Sequence, residues 1–144
     1  MADQQPTKLI DRTGYLAHKL QCVLLPAIEN GLVEVELNTR SFFVLSWIDQ
    51  PQPPSQQDLS RALRIDATTI VAVVDELERL GYVNRVRSTT DRRRYDLHLT
   101  PAGRAALERA GKAMDGVEQE FFAPLSTREQ ASLHTLLDKL LDGR

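Results

Sequence analysis

Residues 84–94 contain five arginines and one aspartate, within a chain whose formal net charge is −2. Three of the arginines are consecutive, Arg92, Arg93 and Arg94. A guanidinium group binds phosphate at two points, and its weak hydration favours entry into a narrow, negative DNA groove. The cluster therefore indicates contact with nucleic acid, and a solvated charged turn is the alternative. Asp91 can hold the guanidinium of Arg93 and fix the turn.

The arginine cluster falls at the tip of a predicted β-hairpin. Residues 82–87 and 95–99 have strand character, and apolar and polar side chains alternate in the second stretch. Two short helices are predicted before the hairpin, one ending near residue 63 and one over 67–80, and only a tight turn joins them. This is the outline of a helix-turn-helix, and the basic hairpin after it makes a winged helix.

The second helix of the pair carries the side chains that would meet DNA bases in the major groove, because its first turn is where base edges are met. Thr68 and Thr69 can hydrogen-bond to a phosphate or a base, whereas Val71 and Ala72 can only pack, for instance on a thymine methyl group. For Thr69, support of the helix N-terminus is an equal alternative. The opposite face is predicted to be core: Ile70, Val73, Leu77 and Leu80.

Longer helices are predicted before and after this winged helix. Apolar residues recur at helical spacing over 8–29, with a kink or break expected at Pro26. A largely apolar and deeply buried helix follows over 39–49, and a long helix is predicted over 101–122. The last helix should run to Leu141 with four leucines facing inward, Leu133, Leu136, Leu137 and Leu140. Five residues are predicted to cap helices: Asn38, Ser55, Asp66, Thr100 and Ser126.

The predicted fold is mainly α with one small β-hairpin, in a single domain spanning 1–144. A winged helix-turn-helix lobe covers 38–100, and helices over 8–37 and 101–144 flank it. The flanking helices are apolar beyond what one small domain can cover, so we predict a dimer.

Other classes of protein find little support. The sequence has no glycine-rich nucleotide loop and no nucleophile or zinc motif, so we predict no enzyme activity, no cofactor and no metal site. No apolar run approaches the ~20 residues that span a bilayer, and the polar N-terminus lacks a secretory signal. The single cysteine, Cys22, excludes an internal disulfide framework and fits a reducing compartment. We therefore expect a cytoplasmic protein without membrane association.

Two segments resemble the MarR family of bacterial transcription regulators, named for multiple antibiotic resistance. DRRRYDLHLTPAG (91–103) is similar to the family's wing, and LSRALRIDATTIVAVVDELERLGYVNR (59–85) to its helix-turn-helix. The resemblance covers nearly the whole chain. It implies an obligate homodimer with intertwined first and last helices, which places two recognition helices on a pseudo-palindromic double-stranded DNA operator. It also matches Arg93 with the arginine that enters the minor groove and Asp91 with its orienting acid.

The sequence departs from the family pattern at three positions. Arg64 stands at the turn position where the family often has glycine. Val71 and Ala72 stand where the family often has Ser, Thr or Arg. The operator is therefore expected to be read largely by shape and by the wing.

The resemblance also implies an effector, because many family members release DNA when a small aromatic acid or phenol binds. The candidate residues are Tyr15, His18, Arg40, Phe43 and Trp47. For the aromatic rings among them we favour plain core packing.

One branch of the family senses organic hydroperoxides through a cysteine in the first helix. Cys22 lies four residues after His18, which could lower the pKa of its thiol when protonated. We favour a structural cysteine, because the second helix lacks the tyrosine pair that this branch uses. A winged helix that binds another protein instead of DNA is a further alternative, and the wing arginines argue against it.

Overall fold

The computed structural model describes residues 7–143 of the chain. Its elements follow the predicted order: α1 (Thr7–Ile10), α2 (Thr13–Leu32), a 3-10 turn (Val33–Val35), α3 (Thr39–Ile48), α4 (Gln56–Leu63), α5 (Ala67–Arg79), β1 (Val83–Arg87), β2 (Tyr95–Leu99), α6 (Pro101–Phe121) and α7 (Thr127–Leu141). The chain divides into two compact units. The winged-helix unit is Ile28–Met114, and the terminal unit comprises the described residues on either side, 7–27 and 115–143.

The buried apolar side chains of the described chain all belong to the winged-helix unit. In this unit α3, α4 and α5 pack on one another, α5 also contacts β1, and both α3 and α4 contact β2. Leu45, Leu59, Ile70, Leu77 and Leu97 are fully buried at the centre. Each such side chain contributes about 1.5–3 kcal/mol on leaving water.

The five predicted helix caps are confirmed. Each side chain accepts a hydrogen bond from a backbone N–H three residues further along the chain, as seen for Asn38, Ser55, Asp66, Thr100 and Ser126. In α4 and α7 the acid at the third helical position also accepts from the backbone N–H of the capping serine. These bonds favour the ionised acid, so the hydrogen bonds from Ser55 lower the pKa of Asp58 below its ordinary value. The bonds from Ser126 lower the pKa of Glu129 in the same way.

The buried stripe of α5 differs by one position from the prediction. Ile70, Val74 and Leu77 are fully buried, whereas Val73 is only half-buried. The prediction for Leu80 was wrong, since this residue caps the end of α5 and is exposed. The buried side chains therefore recur at i, i+4 and i+7 along α5, and the helix ends at Arg79 before it reaches Leu80.

The connection between α4 and α5 passes through a left-handed residue. Arg64 has φ 53° and ψ 39°, a conformation that costs an ordinary residue about 1–2 kcal/mol and glycine almost nothing. Arginine therefore occupies a turn conformation that glycine would adopt at lower cost.

The first predicted helix is two helices. The chain turns at Asp11 and Arg12, between α1 and α2, so the prediction of one helix over 8–29 was wrong at its N-terminal end. Of the kink or break expected at Pro26, the break does not occur, because α2 continues through the proline to Leu32. A proline removes one hydrogen bond of the helix, and the remaining bonds on either side are sufficient to keep α2 continuous.

The terminal unit has no buried residue among those that the structure describes. The inward orientation predicted for the last helix is therefore wrong within a single chain: Leu136 and Leu140 are each 59% exposed and Leu137 is 41% exposed, while Leu133 is half-buried. Along α2, Leu16 and Val23 are also exposed. These helices present an apolar surface that one copy of the chain leaves in contact with solvent.

The helix α3 is buried on one side only. Val44, Leu45 and Ile48 face the core, whereas Phe43 and Trp47 are exposed, so the prediction of a deeply buried helix was too strong. No helix of residues 7–143 is long and apolar enough to cross a membrane.

Candidate nucleic-acid interface

The wing is an antiparallel hairpin whose register pairs Val83 with Leu99 and Arg87 with Tyr95 at its two ends. Val83 and Leu97 point into the core and are fully buried. The backbone N–H of Leu97 also donates to the carbonyl oxygen of Pro54 at 2.9 Å, which attaches β2 to the segment just before α4. The base of the wing is therefore held by both packing and hydrogen bonding.

The tip of the wing is organised by Asp91. Its carboxylate accepts a hydrogen bond from the backbone N–H of Arg93 at 2.9 Å, and its carbonyl oxygen accepts from the backbone N–H of Arg94 at 3.0 Å. The backbone N–H of Ser88 donates to the carbonyl oxygen of Arg94 and closes the turn. Asp91 thus fixes the tip through the backbone, and the predicted contact with the guanidinium of Arg93 is not made.

The five arginines of the wing have different environments. Arg92 and Arg93 are exposed, and neither guanidinium has an ionic partner within the described part of the chain. Arg87 lies over the ring of Tyr95, with 5.6 Å from Cζ to the ring centroid. Arg85 and Arg94 bind acidic side chains of the protein. Three of the five, Arg87, Arg92 and Arg93, thus have no acidic partner among residues 7–143, and at the tip of the wing these are Arg92 and Arg93.

Arg85 connects the wing to the recognition helix. Its guanidinium contacts Asp75 at 2.5 Å and also Glu78, both on α5, and its Nε donates to Gln56 of α4 at 2.8 Å. The single positive charge of Arg85 is shared by these two carboxylates of α5 and balances one of their two negative charges. This arrangement reduces the repulsion that α5 would otherwise exert on a DNA backbone.

Arg94, which the sequence predicts to face DNA, is directed to two carboxylates of the protein. Its Nη2 lies 2.9 Å from Oδ2 of Asp58 and its Nε lies 3.0 Å from Oδ1 of Asp96. Nη2 also donates to the carbonyl oxygen of Pro53 at 3.4 Å. The hydrogen bond to Asp96 raises the pKa of Arg94, which stays positively charged.

The first turn of α5 is open to a ligand. Thr68, Val71 and Ala72 are exposed. Thr69 is half-buried, and its hydroxyl donates to the carboxylate of Asp66 at 2.6 Å while its backbone N–H donates to the same group at 2.9 Å. These two bonds lower the pKa of Asp66. They support the capping role for Thr69 and leave Thr68 as the polar side chain available to DNA.

Two residues that the sequence did not single out line the cleft between α4 and the wing. Arg61 and Gln57 are exposed on α4 and border this cleft together with Arg93. The first helix of a helix-turn-helix crosses the DNA backbone, which makes both side chains candidates for phosphate contact. The sequence could have indicated this role for Arg61, because the residue falls on the first helix of the predicted helix-turn-helix, although outside the arginine cluster.

The candidate effector residues lie on two helices. Tyr15 and His18 are on α2 in the terminal unit, and Arg40, Phe43 and Trp47 are on α3 in the winged-helix unit. Tyr15 is half-buried, and Phe43 and Trp47 are 38% and 41% exposed. Packing within one chain therefore covers only part of the surface of the Phe43 and Trp47 rings. Among the described residues, no cluster of His, Cys, Asp and Glu could hold a metal ion.

Cys22 is exposed on α2, and its Sγ lies 3.5 Å from Nε2 of His18. The predicted proximity to His18 is confirmed, and the sulfur is not buried in one chain. We still expect a structural cysteine, because α3 contains no tyrosine that could hold a thiolate.

The Cys22→Ser variant should therefore bind DNA with the same sensitivity to low peroxide as the wild type. The measurement is DNA affinity before and after peroxide treatment, with reductant added afterwards. Release of the wild-type protein that the substitution abolishes and reductant reverses would establish a redox role for Cys22 instead.

A helix-turn-helix whose second helix has an open first turn, followed directly by a hairpin with two free arginines at its tip, defines a winged helix-turn-helix protein. Its exposed cations and its recognition helix lie in one unit of the chain, Ile28–Met114. This is the class of fold whose known members include many DNA-binding proteins.

Known proteins of similar sequence and structure agree with this class. The MarR family profile matches residues 37–95. A putative transcriptional regulatory protein for the hcr operon of Thauera aromatica is 45% identical over 86 residues, which cover 60% of this chain and 52% of that protein. The chain thus spans about half of the length of that relative.

Two solved structures match nearly the whole chain. A probable transcriptional regulator from Pseudomonas aeruginosa has a TM-score of 0.82 at 32% identity, covering 92% of this chain and 99% of that one. CouR from Rhodococcus jostii, solved bound to p-coumaroyl-CoA, has a TM-score of 0.84 at 26% identity, covering 96% and 98%. The chain belongs to the MarR family of transcription regulators.

Proposed function

We propose that this protein is a transcription regulator that binds a specific double-stranded DNA operator as a homodimer and responds to a small ligand. The observation that carries the proposal is the pair of unpartnered arginines, Arg92 and Arg93, at the end of a wing whose base is packed into the same unit as α5. The recognition helix would lie in the major groove, and the wing would reach the adjacent minor groove or backbone.

The composition of the recognition helix decides how the operator is read. Val71 and Ala72 offer no hydrogen bond to a base, and Thr69 is engaged with Asp66. Thr68 and the wing arginines therefore supply most of the polar contacts. We propose that specificity depends mainly on the width of the minor groove, which is narrowest and most negative in A·T-rich sequence.

The homodimer is proposed from the exposed apolar side chains of the terminal unit. None of its described residues is buried in one chain, although α2 carries exposed leucine and valine side chains and α7 carries a row of leucines. A second copy would cover these surfaces and place two recognition helices on one side of the DNA. Half-site centres should then lie about 34–36 Å apart, one helical turn of DNA.

The ligand is proposed from the class of molecule bound by a structural relative. CouR has been solved with p-coumaroyl-CoA, a thioester of an aromatic acid. The exposed rings of Phe43 and Trp47 and the guanidinium of Arg40 provide stacking and charge on α3 for an aromatic acid. Repression that the ligand relieves is the mode of regulation we propose.

The test of DNA reading is the Arg93→Ala variant, assayed on an operator selected from random duplex DNA. We expect a loss of about 1–3 kcal/mol in binding free energy, together with a weaker preference for A·T pairs at the outer flank of each half-site. Arg92→Ala, a change of the same size at the neighbouring exposed residue, should weaken all sequences alike and reduce the salt slope by about one unit.

If Arg93→Ala bound every duplex as tightly as the wild type does, the proposal would be contradicted. The wing would then serve a different partner, and a winged helix that binds another protein would become the better assignment.

A further inference from the structure

Arg94 differs from its two neighbours at the wing tip, because its guanidinium is bound within the protein. Nε donates to Asp96 at 3.0 Å, and Nη2 lies 2.9 Å from Asp58 and 3.4 Å from the carbonyl oxygen of Pro53. Arg92 and Arg93 make no such side-chain contact with the described residues. Three adjacent arginines thus have two kinds of environment.

The partners of Arg94 are fixed points of the fold. Asp58 accepts hydrogen bonds from the backbone N–H of Ser55 at 2.9 Å and from the hydroxyl of Ser55 at 2.8 Å, so its carboxylate is held at the start of α4. Asp96 belongs to β2, and the backbone N–H of the next residue, Leu97, is bonded to Pro54. Arg94 therefore links the wing tip to the N-terminus of α4.

The link matters because a two-stranded hairpin has little stability of its own beyond the residues packed at its base. An unrestrained tip would have to be ordered when DNA binds, at a cost in conformational entropy. A tip that is already held presents Arg93 in its bound position, so less affinity is lost on binding.

We propose that Arg94 is a positioning residue for DNA binding, which joins the wing tip to the start of α4 and so fixes the place of Arg93 without contacting DNA. The inference rests on the proposed function. Arg94 would then contribute to DNA binding by holding the wing in place, and not by its charge alone.

The test is a double-mutant cycle of Arg93→Ala and Arg94→Ala on the selected operator. If Arg94 acts through Arg93, Arg94→Ala should weaken binding about five-fold or more in the wild type and less than about two-fold in the Arg93→Ala background. Arg92→Ala is the matched control, since it removes the same charge from an unpartnered neighbour and its effect should be the same in both backgrounds.

Two further measurements separate positioning from loss of charge. Arg94→Lys keeps the charge but lacks the planar fork that reaches both carboxylates, so it should weaken binding almost as much as Arg94→Ala. In the free protein, the amide protons of Arg93 and Leu97 should exchange faster with solvent in Arg94→Ala than in the wild type. Arg92→Ala should leave both exchange rates unchanged.

Additive effects of Arg93→Ala and Arg94→Ala, with wild-type affinity in Arg94→Lys, would overturn the inference and make Arg94 an ordinary phosphate contact. Unchanged amide exchange in Arg94→Ala would overturn it as well. If instead Arg93→Ala and Arg92→Ala both bind DNA as the wild type does, the proposed function has failed. Faster amide exchange in Arg94→Ala would then still support Arg94 as the residue that holds the wing.

Discussion

The Gly103→Ala variant should be less stable than the wild type by about 3 kcal/mol, although alanine is normally the better helix former. A Cβ atom at Gly103 would lie 2.0 Å from the carbonyl oxygen of Tyr82 and 2.8 Å from its carbonyl carbon. Both are backbone atoms, so the collision cannot be relieved by rotating a side chain. The first turn of α6 would have to move away from Tyr82, the residue directly before β1.

The same carbonyl oxygen is needed by a neighbouring contact. The backbone N–H of Thr100 donates to the oxygen of Tyr82 at 3.0 Å, and the Thr100 hydroxyl accepts from the N–H of Gly103 at 3.0 Å while capping α6. Displacing α6 would therefore break hydrogen bonds in addition to the steric cost. Thermal or denaturant unfolding at fixed protomer concentration measures the change, and a fall in Tm of roughly 10 °C is expected.

Gly111→Ala is the matched control in the same helix. A Cβ atom there meets no atom within 4 Å, so the substitution should be neutral or stabilise the protein by up to about 1 kcal/mol. Equal stability of Gly103→Ala and Gly111→Ala would show that the close approach of α6 to Tyr82 is absent in solution.

The second large effect concerns assembly. Replacing Leu136 and Leu140 by glutamate should convert the proposed dimer to a monomer at micromolar concentration. Both leucines are 59% exposed in one chain, and each would contribute about 1.5–3 kcal/mol if a second copy covered it. The dissociation constant of the dimer should therefore rise by at least about 100-fold, before the repulsion of the added charges is counted.

Sedimentation over a range of concentrations measures this effect. Ala131→Glu combined with Thr135→Glu is the control, because it places two glutamates at the same spacing on the opposite face of α7. The control should remain dimeric and bind operator as the wild type does. A wild-type protein that sediments as a stable folded monomer would contradict the proposed homodimer directly.

Local features of the fold were predictable from the sequence. The five helix caps, the two strands and the turn between α4 and α5 depend on residues a few positions apart. Capping side chains bond to the third backbone N–H beyond them, and strand alternation has a period of two, so both are visible in a short window. The order of these elements was enough to define the winged helix.

The contacts that the arginine side chains make depended on tertiary structure. Arg85 reaches α5 and α4, and Arg94 reaches the start of α4, through partners up to 41 residues away in the sequence. Nothing in the run Arg92, Arg93, Arg94 distinguishes its last member from the other two. Only the folded hairpin places the guanidinium of Arg94 between Asp58 and Asp96.

The sequence by itself determined the elements, their order and the positive charge at the wing tip, because these depend on local periodicity and composition. The tertiary structure decided which arginines remain free for DNA and which hold the protein together, because ion pairs form between groups that only the packing of α4, α5 and the hairpin brings within 3 Å or so. It also decided that the leucines of α7 lie exposed in one chain, since a helical pattern shows which side chains share a face and not what covers that face.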